Sequence, residues 1–405
     1  MKKFEIPEIY KSSIINSIKE KRKLDDPRKK DFSPTVLNFG PVKFYIARHF
    51  GFCYGVENAI EIAYKTLDDN PGKNIYLLSE MIHNPAVNKD LIDRGIKFIL
   101  DTYGNQLIDW NLITSEDIVI VPAFGTTIEM ENYLNNKGID TKQYNTTCPF
   151  VEKVWNRASS LGEKDYTIII HGKAKHEETR ATFSHSVQNS NSVIVKDLKE
   201  AEILARIIKG DIPKEQFYKL FESKHSHNFD VDKHLSKVGV VNQTTMLATE
   251  TQEIADLLRQ TMIDKFGENV IKNHFADTRD TLCYATNDNQ TATLSLLETD
   301  ADFAIVVGGY NSSNTTHLVE ILEKKFKTYF ISGCDKIDGE NSISHFEIHS
   351  KTEDRTNEFI PHKEQVKIAI TSGASCPDSI VDNVMKTVLN FFPNKFELNE
   401  VLEKV

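Results

Sequence analysis

Short apolar runs alternate along this chain with stretches of helical periodicity, and that alternation limits the fold more than any other feature. The runs lie at 43–46, 75–78, 118–121, 166–170, 238–241, 303–307 and 366–370. Continuous β-rich segments of this length suit strands buried on both faces, as in parallel sheets. Helical patterns fill intervening stretches at 56–67, 151–161 and 251–266. Strand, loop and helix in repeated succession predict an α/β protein. A chain of 405 residues exceeds what one hydrophobic core serves, so two or three domains are expected.

The loops after these runs are chemically alike. They read Ile82-His83-Asn84-Pro85, Ala123-Phe124-Gly125-Thr126-Thr127, His171 through Thr179, Gln243-Thr244-Thr245, Gly308 through Thr315, and Ser372-Gly373-Ala374-Ser375-Cys376-Pro377-Asp378. Parallel α/β sheets bind ligands at the carboxyl ends of their strands. These loops supply hydroxyls, amides, histidines and carboxylates there, and form the candidate binding surface.

Three of the five cysteines share one context: Cys53, Cys148 and Cys283 each follow a turn and directly precede a helical run. A thiol at a helix N-terminus feels the positive end of the dipole, which favours the thiolate. Read singly, a cysteine is more often a buried small apolar side chain than a ligand. Read together, three thiolates suggest a shared cofactor with three protein ligands and one open position. Their wide separation excludes compact ferredoxin and zinc-finger spacings. An all-sulfur set suits an iron–sulfur cluster better than catalytic zinc, whose sites mix in histidine.

Other residues carry weaker signals. His176 and Glu178 form His-x-Glu after a strand, and an enclosed carboxyl can deliver a proton. Ser312, Ser313, Asn314 and Ser375 sit in strand–helix loops where hydroxyls and N–H groups make anion sites, although simple helix capping uses the same residues. No Gly-x-x-x-x-Gly-Lys-Ser/Thr loop occurs, so nucleoside triphosphate binding is not indicated. A net charge of −10 argues against nucleic acid as a partner. The odd cysteine count without a Cys-x-x-Cys pair points to a reducing compartment, and no apolar stretch is long enough for a membrane span. A cytoplasmic protein is expected.

In order along the chain, Gly-Phe-Cys-x-Gly-Val at 51–56, Ile-His-Asn at 82–84, Thr-Cys-Pro-x-Val at 147–151 and His-x-Glu at 176–178 are followed by further motifs. These are Gln-Thr-Thr at 243–245, Cys-Tyr-Ala-Thr at 283–286, Asn-Ser-Ser-Asn at 311–314 and Gly-Ala-Ser-x-Pro-Asp at 373–378. Over residues 42 to 390 the chain resembles the LytB/IspH family of 4-hydroxy-3-methylbut-2-enyl diphosphate reductases. The resemblance implies three similar α/β domains in a trefoil-like arrangement around a central [4Fe–4S] cluster. Cys53, Cys148 and Cys283 would be its ligands, with one iron left for substrate. His83, His176, Ser312, Ser313, Asn314 and Ser375 would hold the diphosphate. Thr244 would position the substrate hydroxyl and Glu178 would supply protons. The implied reaction is reductive dehydroxylation to isopentenyl and dimethylallyl diphosphates, the last step of the non-mevalonate isoprenoid pathway, with flavodoxin or ferredoxin as electron donor. One departure stands out: the family's Ala-His-Gly is Ala123-Phe124-Gly125 here, and Phe124 cannot donate to an anion.

The expected domains are an N-terminal extension (1–40), a first α/β domain (41–148), a second (149–280), a third (281–390) and a C-terminal tail (391–405). The first strand and the Cys53 turn are free to pack with the third domain. The extension reads as a solvated helix and linker. Stretches near 206–236 and 335–362 read as polar surface insertions. Two rival functions use the same residues: a cysteine-dependent hydrolase or amidotransferase pairing one thiolate with His176 or His83, and a non-catalytic phospho-ligand binding protein.

Overall fold

In the computed structural model, residues 4–28, 30–276 and 281–404 are described. They fall into two compact units. One comprises Met1–Glu57, Ile82–Lys89 and Tyr284–Val405; the other comprises Asn58–Met81 and Asp90–Cys283.

The first unit is built on a five-stranded sheet in the order Thr35–Asn38, Val42–Ile46, Val366–Ser372, Phe303–Val307, Thr328–Ile331. Its outermost pair, Thr35–Asn38 with Val42–Ile46, is antiparallel and the other pairings are parallel. Ile368 stands opposite both Phe44 and Phe303 across the central strand. All three side chains are buried in one apolar core with Ile305 and Phe330. Continuous apolar sequence is what a central parallel strand requires, because helices cover both of its faces.

Helix Ser13–Asp25 belongs to this core. Ser12 caps it, accepting from the Ile15 N–H at 3.0 Å, and Ile14, Ile15 and Ile18 are buried. The expectation of a solvated helix is therefore corrected. Its charged letters conceal a narrow apolar stripe at helical spacing, enough to seat one face. The stretch at 335–362 forms a small antiparallel sheet of Ile337–Asp338, Ser342–Glu347 and Thr352–Asn357. Its last strand is mostly exposed, while Ile337, Ile343, Phe359 and Ile360 enter the core.

The second unit holds two sheets. In one, Ile75–Leu77 lies between Lys97–Phe98 and Ile118–Ile120. In the other, Thr167–His171 lies between Ser192–Val195 and Val238–Asn242, with Phe275–Ala276 beyond. Every pairing in both sheets is parallel. The 206–236 stretch is not a polar surface loop. Phe217 stacks on Phe221 and Phe229 at 5.2 and 5.0 Å, and these rings close the unit's core with Val231 and Leu235.

The predicted α/β class is the observed one. Strands and helices expected from the pattern appear within a few residues of their predicted bounds, for example Val366–Ser372 for 366–370 and Pro149–Gly162 for 151–161. The boundary placed near 280 touches residues 277–280, which lie outside the described residues. No helix among the described residues is long and apolar enough to cross a membrane.

Candidate active site

In the first unit, the segments after the neighbouring parallel strands Phe303–Val307 and Val366–Ser372 meet at one residue. The Ala374 N–H donates to Asn314 Oδ1 at 3.0 Å, and the Ala374 carbonyl accepts from the Cys53 N–H at 3.2 Å. Ser375 Oγ donates to the His83 carbonyl at 3.2 Å. Two glycines permit this crowding: a Cβ on Gly309 would lie 2.3 Å from the His83 carbonyl oxygen, and one on Gly373 would lie 1.9 Å from Thr315 Oγ1. Cys53, His83, Asn314 and Ser375, remote in sequence, thus belong to one cluster of contacts.

His83, Ser312, Ser313, Asn314 and Ser375 are all buried, none more than 8% exposed. Ser312 is the N-cap of helix Ser313–Leu322, accepting from the Thr315 N–H at 3.3 Å. The capping role is real, but it does not exhaust the site. Asn314 Nδ2 is buried without a hydrogen-bond partner. An orphaned donor at a helix N-terminus, where the first N–H groups and the dipole favour negative charge, suits an anion.

In the second unit, the loops after Ile118–Ile120, Thr167–His171 and Val238–Asn242 carry Phe124, His176 and Thr244 respectively. His176 caps helix Glu177–Ser186, its Nδ1 accepting from the Glu178 N–H at 3.2 Å. That bond requires a lone pair on Nδ1, so the neutral ring carries its proton on Nε2. Glu178 is 1% exposed, and its Oε1 accepts from the Thr244 N–H at 2.5 Å. Gln243 supports the same corner, its Oε1 accepting from Thr179 Oγ1 at 3.0 Å and from the Lys173 N–H at 3.2 Å. Phe124 packs edge-to-face on the His176 ring, with centroids 5.8 Å apart and planes at 83°.

Cys148 is the N-cap of helix Pro149–Gly162, and its N–H donates to the Ala123 carbonyl at 2.9 Å. The expected thiolate-favouring environment is corrected: burial pushes the Cys148 thiol up to about 12. Negative charge on Cys283 and Glu178 pushes the same way, while hydrogen bonds from the Phe150 and Val151 N–H groups pull down and lose. Cys148, Cys283 and Glu178 are therefore electrostatic neighbours. A buried thiol of this kind is a poor free nucleophile. It becomes a thiolate when a metal supplies the compensating charge. Among the described residues, no three His, Cys, Asp or Glu side chains are gathered to hold a single metal ion. Cysteines on an iron–sulfur cube each bind a different iron, so they need no such single-ion cage, and the donor set fits a cluster.

The family model of the LytB protein matches residues 44–389. The chain belongs to the LytB family. It is 39% identical over 386 residues to the 4-hydroxy-3-methylbut-2-enyl diphosphate reductase of Synechococcus sp. (strain WH7803), covering 95% of this chain and 91% of that one. It is 40% identical over 386 residues to the reductase of the same name from Prochlorococcus marinus subsp. pastoris, covering 95% and 92%. Among solved structures, the E-1-hydroxy-2-methyl-but-2-enyl-4-diphosphate reductase from Plasmodium falciparum matches with a TM-score of 0.62 at 23% identity, covering 89% of this chain and 91% of that chain. That likeness establishes the fold. Within this LytB chain, the matched span starts after helix Ser13–Asp25 and strand Thr35–Asn38.

No local pattern in the sequence marks Ala374 as the residue that joins Cys53 to Asn314. The only available signal was glycine, at 308, 309 and 373, marking places where backbone is approached closely.

Proposed function

We propose that this chain reduces (E)-4-hydroxy-3-methylbut-2-enyl diphosphate to isopentenyl and dimethylallyl diphosphates, the last step of the non-mevalonate isoprenoid pathway. Membership of the LytB family supports the reaction, and the observation that carries it is Glu178, buried and fixed by the Thr244 N–H beside Cys148 and Cys283. Three α/β domains, each around one of the sheets that contain parallel strands, complete the reading.

A [4Fe–4S] cluster on Cys53, Cys148 and Cys283 would relay, one at a time, the two electrons delivered by the donor and would offer a Lewis-acidic iron. The remaining work falls to the chain's own side chains. His83, His176, Ser312, Ser313, Asn314 and Ser375 bind the diphosphate. His176 offers its Nε2–H, because Nδ1 is engaged by the Glu178 N–H. The Thr244 hydroxyl orients the substrate hydroxyl. Its N–H holds one Glu178 oxygen, so the carboxyl group is set in place before substrate arrives. Glu178 carries protons to the departing oxygen; with two electrons and two protons consumed, the oxygen leaves as water. Burial of these groups excludes bulk water from the proton path. The electron donor is a small redox protein such as ferredoxin or flavodoxin. None of the five cysteines is in a disulfide, which suits the cytoplasm.

Glu178→Gln tests the reading. The amide keeps shape but cannot deliver a proton. Turnover should fall about a hundred- to ten-thousandfold, with the iron content and substrate-induced spectral change retained. Near-normal turnover removes Glu178 from the mechanism.

A further inference from the structure

The loop that carries Cys53 is held from beneath by two cations of the N-terminal helix. Lys19 Nζ donates to the Phe50 carbonyl at 3.1 Å and to both Asp378 carboxylate oxygens at 2.7 and 2.8 Å. It also lies 4.8 Å from the centre of the Phe50 ring. Arg22 spreads its guanidinium across the approach to the same loop. Its Nη1 donates to the carbonyls of Ala47 and Arg48 at 3.0 and 2.9 Å, its Nη2 to that of Ile46 at 3.4 Å, and its Nε to Thr35 Oγ1. Arg48 returns a bond to the Arg22 carbonyl at 3.2 Å. Aromatic edges continue the contact, Tyr10 on Phe52 at 5.8 Å and Phe4 on Tyr54 at 4.9 Å.

Gly51 shows that this fit is demanding. It adopts φ +80°, and a Cβ there would lie 2.3 Å from Asp378 Oδ1 and 3.0 Å from Lys19 Nζ. Asp378 opens helix Asp378–Leu389 at the end of the Gly-Ala-Ser-x-Pro-Asp motif, whose Ala374 carbonyl accepts the Cys53 N–H. The acceptor of the ion pair thus comes from within the matched family span, and its cation from a helix that precedes that span. A buried guanidinium on several carbonyls fixes backbone positions that a flexible loop would otherwise leave free.

We propose that Lys19 and Arg22 are positioning residues that clamp the Cys53 turn in the geometry needed to hold a metal cofactor. The proposal rests on the reading of Cys53 as a cluster ligand. The clamp acts through backbone, so it governs how long Cys53 stays in place rather than the chemistry itself.

The test uses the full chain with Lys19→Met, Arg22→Met and Arg22→Lys. Lys19 is partly exposed, so its variant keeps the fold even if loss of Arg22 does not. Two quantities are read: the rate of iodoacetamide labelling at each cysteine of the metal-free protein, located by mass spectrometry, and the rate of chelator-driven iron loss from anaerobically reconstituted protein. In Lys19→Met and Arg22→Met, Cys53 should label about tenfold faster, with Cys148 and Cys283 unchanged, and iron should leave about tenfold faster. Arg22→Lys keeps the charge but not the fork, and should behave like Arg22→Met. Unchanged Cys53 labelling and iron loss in folded Lys19→Met overturn the clamp. Cys53→Ser separates the two ideas: full iron loading with a wild-type Mössbauer spectrum there overturns the ligand assignment instead.

Discussion

Cys148 and Phe124 show how far a residue's neighbours in space can outweigh its neighbours in sequence. The helix start at Cys148 favours a thiolate, yet desolvation dominates and the thiol is pushed up to about 12. Phe124 occupies the place of the family's histidine and lies edge-on to His176. The ring thereby restricts the imidazole that remains. Phe124→His would set a second donor beside His176, and KM for the diphosphate substrate should fall about three- to tenfold, with kcat little changed. Steady-state kinetics check this, and an unaltered KM would place residue 124 outside the anion site. Both identities were legible in the sequence. The direction of the Cys148 shift was not, because burial is a property of the packed chain.

Between helices Pro149–Gly162 and Glu177–Ser186, the rings of Trp155 and His185 stack at 3.6 Å and 9°. Gly125, at φ +75°, completes the joint, since a Cβ there would lie 2.4 Å from Trp155. His185 Nε2 donates to the Thr126 carbonyl at 3.1 Å, and burial lowers the ring's pKa below its ordinary 6.5. Glu129 opposes that shift, and Glu131 approaches Nε2 at 3.9 Å. Below the ordinary imidazole value, the unfolded chain takes a proton that the folded chain refuses. Stability is therefore complete above about pH 6.5 and falls as the pH drops through that value. Urea unfolding followed by tryptophan emission should show this slope. His185→Phe should flatten it while costing about 1 kcal/mol at neutral pH; an unchanged slope assigns it to another group. At this scale the long periodic elements were legible. Helix Ser13–Asp25 was legible as a helix but not as core, because its stripe of three isoleucines is outnumbered by charges.

Across the whole chain, the proposed function requires three thiols that lie far apart in sequence. Serine at Cys53, Cys148 or Cys283 should each alone abolish stable iron loading, read as loss of the brown colour and of iron on analysis. Cys334→Ser and Cys376→Ser should leave both intact. Retained loading in any of the first three would remove that thiol from the set. The alternation of apolar runs and helices determined the α/β class by itself, because strand and helix periods are local properties of the letters. Ordered motifs likewise identified the family, since the identity and order of residues are properties of the letters, whereas reactivity, as at Cys148, is set by burial. Only the tertiary structure decided that strand Val42–Ile46 pairs with Val366–Ser372, that Ala374 joins Cys53 to Asn314, and that Lys19 and Arg22 underpin the Cys53 turn. Those contacts join residues from 25 to more than 300 positions apart, and no local pattern encodes which distant partner a carbonyl or a cation will meet.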